Sequence, residues 1–212
     1  MKHAILGTLF AGALLAAAPA LAQGWNPAPP PGGASPNQPI PARDAAGNYL
    51  TPNSHLTPEE ASWHVRAALN VAALGCRDAD EDWTVAAYNR LLARQRGALA
   101  AADAAVKAQY RQRYGAGWES QHDREMTRVY NFFAQPPAQQ RFCAAAREAL
   151  AQVDTVEPQD FERFAADALP RLEAPFTDFY RAFEAWRMAS SAPPATLLAS
   201  VPVSQSVLPS LP

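Results

Sequence analysis

Residues 57–75 read TPEEASWHVRAALNVAALG, and they predict a buried helix with a defined beginning. Thr57 is placed to cap the helix, Pro58 suits the first helical position, and Glu60 is spaced to complete a capping box. From Ala67 to Leu74, Asn70 is the only polar side chain. Because a helix that is apolar on nearly all sides lies inside its domain, we expect this helix at the centre of the fold.

Apolar side chains recur at helical spacing along the rest of the folded region, and no alternating strand pattern occurs there. Four further helices are predicted, from the acidic cluster at residues 78–82 to Gly115, from Trp118 to Ala134, from Pro137 to Val153, and from Pro158 onward. Pro170 and Pro175 predict a kink or a break in the last of them. The fold class is therefore all-α, with a single bundle of about five helices over residues 57–189.

Both ends of the chain differ from this region in composition. Residues 1–22 have a polar start, an apolar run and a small-residue cleavage motif, which predicts a signal peptide and a mature chain that begins at Gln23. Residues 23–56 are rich in proline and glycine, and we expect a disordered linker. Residues 190–212 carry no charge and many serines and prolines, which is typical of a flexible tail.

The composition narrows the location and the classes of partner. The formal net charge is −2, and it becomes −3 once Lys2 leaves with the signal peptide. This argues against nucleic acid as a partner, because binding to phosphates requires a basic surface. The abundance of alanine and the use of arginine over lysine indicate a bacterial source. We expect a periplasmic or secreted protein with no transmembrane segment in the mature chain.

The chain contains two cysteines, Cys76 and Cys143. In an oxidising compartment an even pair of thiols predicts a disulfide, which would stabilise the fold by about 4 kcal/mol on the chain-entropy model. A nucleophilic Cys143 is the alternative reading of this pair, and it needs an electropositive setting that the sequence does not display.

A second pattern suggests metal chemistry. Glu119 and His122 share a helix face at i and i+3, the spacing that holds a transition metal ion in some four-helix bundles. Glu60 and His64 stand at i and i+4, so the two pairs would form one metal site if their helices were neighbours. The alternative interpretation is that Glu119 and His122 are ordinary surface residues.

No local signature of catalysis or of an organic cofactor is present in the sequence. The leading hypothesis is a non-enzymatic, exported helical domain that binds a partner protein or an apolar ligand in the cell envelope. A metal-dependent bundle or enzyme that uses Glu119 and His122 is the first alternative. A cell-wall hydrolase is the second, and its candidate carboxylates include Glu119, Asp123, Glu125 and the acidic cluster at residues 78–82.

Overall fold

The computed structural model describes residues 28–191, and within this range it confirms an all-α bundle. The six α-helices are α1 (Pro58–Gly75), α2 (Glu81–Arg94), α3 (Arg96–Tyr114), α4 (Trp118–Phe133), α5 (Gln139–Val153) and α6 (Phe161–Ser191). Short 3₁₀ turns precede α4, α5 and α6. The described range contains no strand, and its β-structure is limited to one isolated antiparallel bridge between Arg43 and Tyr49.

Helix α1 lies at the centre of the bundle, as its composition predicts. It packs against each of the other five helices, and Val65 and Leu69 are completely buried along it. The predicted capping box is present, because the Thr57 hydroxyl accepts from the Glu60 amide at 3.2 Å and the Glu60 carboxylate accepts from the Thr57 amide at 2.9 Å. These two bonds satisfy amide donors that a helix terminus leaves free.

The second predicted helix is divided into α2 and α3 by a turn at Gln95. The Gln95 side chain is fully buried, and its amide donates to the carbonyl of Val156 at 2.8 Å. The neighbouring Arg94 donates to the same carbonyl at 3.0 Å. The turn therefore allows Gln95 and Arg94 to donate to the same carbonyl, which lies after the end of α5. This contact is between distant parts of the chain, so the helical periodicity of the segment does not predict it.

Helix α6 runs through both of its prolines as one element of 31 residues, so the break that Pro170 and Pro175 allow does not occur. Each proline removes one backbone donor from the helix. The aromatic face of α6 compensates, since the Phe176 ring lies 4.7 Å from Phe132 and 5.3 Å from Phe142 between centroids. Burial of these rings stabilises the helix, which lacks a backbone donor at each of the two prolines.

Cys76 and Cys143 form the predicted disulfide, with a distance of 5.8 Å between their Cα atoms. The bond joins the end of α1 to α5, and both cysteines are buried. A nucleophilic role for Cys143 is therefore excluded while the bond is intact, since a reactive cysteine must be a free thiolate.

Residues 28–56 contain little regular structure, as their proline and glycine content predicts, but they pack on the bundle instead of forming an open coil. Tyr49 is buried, and its hydroxyl donates to Glu184 at 2.8 Å. The indole of Trp186 donates to the carbonyl of Ala28 at 2.6 Å. These contacts with α6 extend the packed body of the protein beyond the helical region that the sequence delimits.

The predicted signal peptide at residues 1–22, residues 23–27 and residues 192–212 of the predicted tail lie outside the described residues. Ser190 and Ser191, which the composition places in the tail, form the last residues of α6. Within residues 28–191, no helix combines the length and the apolar character that crossing a membrane requires.

Candidate functional site

The structure does not bring the four predicted metal ligands together as one site. Glu119 is exposed on α4, whereas Glu60 and His64 are buried in the first two turns of α1. His122 packs edge-on against Tyr110, with 5.2 Å between the ring centroids. In the part of the chain that the structure describes, no group of three or more His, Cys, Asp or Glu side chains could hold a metal ion.

Glu60 and His64 instead line a polar pocket of about 240 Å³. The pocket lies between the loop of residues 51–56 and helices α1, α3 and α4, and we call it the His64 pocket. Its walls carry the following further side chains that can bind a ligand: His55 from the loop, Tyr110, Arg113 and Tyr114 from α3, and Glu125 from α4.

His64 is held in one orientation by a loop residue. Its Nδ1 lies 2.9 Å from the side-chain oxygen of Asn53, and burial lowers the pKa of the imidazole from 6.5 to about 4. The ring is therefore neutral at pH 7. With the asparagine oxygen as the acceptor, the proton lies on Nδ1, and Nε2 is the acceptor of the ring.

Asn53 contributes a second polar group to this region. Its side-chain nitrogen is buried and has no hydrogen-bond partner among residues 28–191. The same residue lines an adjoining pocket of about 380 Å³ that also contains His55 and Arg181. Buried donors are nearly always paired in folded proteins, so the unpaired Asn53 amide is an exception in the wall next to the His64 pocket.

Tyr110 contributes a buried phenol to the His64 pocket. Burial, together with the nearby carboxylates of Glu60 and Glu125, raises its pKa to about 12. The hydroxyl therefore keeps its proton at any physiological pH and can donate a hydrogen bond. The ring also packs against Tyr114, with 5.6 Å between the centroids, which makes part of the α3 wall aromatic.

The loop of residues 51–56 covers the pocket in a constrained conformation. Among the described residues, His55 is the one non-glycine residue with positive φ, at 60°, and it lies on the walls of both pockets. This conformation costs a side-chain-bearing residue about 1–2 kcal/mol. The loop is anchored by Thr51, whose hydroxyl donates to the Glu173 carboxylate and whose amide donates to Ser54 at 3.0 Å. Backbone strain of this kind occurs preferentially at ligand sites.

Sequence reasoning identified part of this site for a different purpose. It paired Glu60 with His64 for metal binding and named Glu125 among the carboxylates of a hydrolase. It missed Asn53 and Tyr110, because a loop asparagine and a tyrosine on a helical stripe carry no spacing signal that links them to His64. The positive φ of His55 has no sequence signal either, since the residue is not a glycine.

Comparison with protein-family models, with curated proteins and with solved structures finds no match for this chain. The geometry of the His64 pocket and the chemistry of its side chains therefore indicate what the protein can bind.

Proposed function

We propose that this protein is an exported, non-enzymatic domain of the bacterial cell envelope that binds a small polar ligand in the His64 pocket. The export part of the proposal is supported by the signal-like residues 1–22 and by the bond between Cys76 and Cys143. Such bonds persist in oxidising compartments and are rare in the cytosol.

The observation that carries the binding function is the neutral, buried His64, oriented by Asn53 at the wall of a pocket. A side chain that is held in one tautomer and one orientation is suited to recognise a hydrogen-bond donor of defined position. The polar groups around it favour a polar ligand over the apolar ligand that the sequence left open.

The same groups favour binding over catalysis. A general base works best with a pKa near the operating pH, and the pKa of about 4 makes His64 a weak one. A hydrolase with two carboxylates needs one of them as a proton donor. In the His64 pocket the described contacts of both carboxylates are with donors, since Glu60 accepts from the Thr57 amide and Glu125 accepts from Arg128 at 2.7 Å.

The binding proposal is tested by measuring the melting temperature of the purified protein against a panel of small polar metabolites. A ligand at about 100 times its Kd stabilises by about 2.7 kcal/mol, which corresponds to a rise of about 5–10 °C for a chain of this size. We expect one ligand class to stabilise the wild type and to lose most of this effect in His64→Asn.

His64→Asn isolates the role of Nε2, because the new side-chain amide can still donate a hydrogen bond to Asn53 but has no group in the place of Nε2. Glu119→Gln is the matched control, since Glu119 is exposed on α4 and does not line the pocket. The binding function is refuted if no class stabilises the wild type, or if stabilisation is equal in the wild type and in His64→Asn.

The export proposal has a separate test. Expression with the native leader in a bacterium, followed by fractionation, is expected to place the protein in the envelope with Gln23 as its N-terminal residue. Recovery of the uncleaved chain in the cytosol would contradict it.

A further inference from the structure

We propose that the His64 pocket recognises a small zwitterion, an α-amino acid that is bound through both of its charged groups. The inference rests on the proposed function, because it takes the His64 pocket as the binding site. It adds the chemical class of the ligand, with the ammonium group directed to Glu60 and the carboxylate directed to Arg113.

The first observation is a buried carboxylate that forms no ion pair within the described residues. Glu60 is only 7% exposed, and one of its oxygens accepts from the Thr57 amide at 2.9 Å. No cation among residues 28–191 forms an ion pair with it. Buried charges in folded proteins are normally paired, so a carboxylate at the wall of a pocket, with one oxygen used in the capping box, is suited to bind a cationic group of a ligand.

The second observation is the set of acceptors around Glu60. An ammonium group carries three donors and no acceptor. The pocket offers three acceptors of matching chemistry, the Glu60 carboxylate, the Nε2 of His64 and the carboxylate of Glu125. Glu125 already accepts from Arg128, which leaves Glu60 as the main counter-charge.

The third observation is a guanidinium that also lacks a counter-charge within the described residues. Arg113 is exposed on α3 at the wall of the same pocket, and none of the ion pairs among residues 28–191 includes it. Its guanidinium carbon lies 5.8 Å from the Tyr110 centroid and 5.9 Å from the Tyr114 centroid. A guanidinium that rests beside aromatic rings keeps its donors for a carboxylate, which it can bind with two hydrogen bonds.

Together these groups distinguish a zwitterion from simpler ligands. A plain amine would make no use of the Arg113 guanidinium, and a plain carboxylate would bring no cationic group to Glu60. An α-amino acid satisfies both charges within one small molecule, and a pocket of about 240 Å³ has room for one with a short side chain.

The experiment is calorimetric titration of the purified protein with glycine, L-alanine and L-serine, and with two derivatives of L-alanine. N-acetyl-L-alanine lacks the ammonium charge, and L-alaninamide lacks the carboxylate. We expect at least one free amino acid to bind, and each derivative to bind about 10-fold to 100-fold more weakly than L-alanine, because a charged partner of a hydrogen-bonded pair has been removed.

Two variants test the protein side with matched controls. Glu60→Gln removes the charge but keeps the capping box, which accepts glutamine at this position, and Arg113→Gln removes the guanidinium. Both are expected to weaken binding by about tenfold or more. Glu119→Gln and Arg111→Gln are the controls, since Glu119 is exposed and Arg111 stacks on Trp118 outside the pocket walls.

The results separate this inference from the proposed function. The zwitterion is refuted if no amino acid binds, if N-acetylation leaves the affinity unchanged, or if the two charge variants bind as the wild type does. If a different polar compound stabilises the protein through His64, the proposed function stands and the zwitterion alone fails. If no compound of any class binds, both fail. The ligand derivatives keep the test decisive even if a variant does not fold.

Discussion

The buried imidazole of His64 predicts that the protein loses stability in mild acid. The pKa of His64 is lowered to about 4 in the folded chain, against 6.5 for an ordinary histidine. Between these two values the unfolded chain binds a proton that the folded chain does not, so the free energy of unfolding rises with pH through the window and falls as the pH is lowered. Lowering the pH from 6.5 to 5 covers about 1.5 pH units, and the free energy of unfolding falls by about 1.4 kcal/mol per unit. The expected loss at pH 5 is therefore about 2 kcal/mol.

Urea denaturation of the wild type at pH 7 and pH 5 measures this loss, and a parallel decrease of about 4–8 °C in the melting temperature is expected. His64→Asn should show little change between the two pH values, because its side chain does not titrate. Asp44 and Asp78 do not obscure the comparison, since hydrogen bonds from Asn48 and from Arg147 respectively hold the pKa of each carboxyl below its usual value of 3.8.

Equal stability of the wild type at pH 7 and pH 5, or a loss in His64→Asn as large as in the wild type, would contradict a buried, neutral His64. Titration of the His64 ring by NMR provides a direct reading that does not depend on the variant. A midpoint near 6.5 would show that the ring is not buried as described.

Three further predictions concern stability. Thr57→Ala removes one half of the capping box and should lower the free energy of unfolding, measured with urea, by about 1 kcal/mol. Thr57→Ser should leave the free energy of unfolding nearly unchanged. Equal effects of the two substitutions would contradict the cap. Phe176→Ala leaves a cavity where α6 meets the aromatic side chains of α4 and α5, and it should lower the free energy of unfolding by about 3–5 kcal/mol. A decrease of less than about 1 kcal/mol would show that Phe176 is not packed in this core. Replacing both Cys76 and Cys143 by serine should cost about 4 kcal/mol, and mass spectrometry of the wild type should show a gain of two hydrogen atoms only after reduction; two free thiols in the native protein would disprove the bond.

The cap at Thr57, the central position of α1 and the pairing of Cys76 with Cys143 follow from the sequence. Each of these three features depends on residues that are close in sequence or on the number of cysteines. A capping box involves residues three positions apart, an apolar helix must be enclosed, and two cysteines in an oxidising compartment have one partner each. The all-α class is determined in the same way, because helical periodicity is a property of neighbouring residues.

The turn at Gln95, the packing of residues 28–56 and the His64 pocket were decided by the tertiary structure. Gln95 leaves the helical path because its amide reaches Val156, 61 residues further along the chain. The pocket exists because packing brings α3 and α4 beside the first turns of α1, so that Tyr110 and Glu125 face Glu60. Such contacts depend on how the helices pack against one another across the core. The spacing of residues along one segment does not determine that packing.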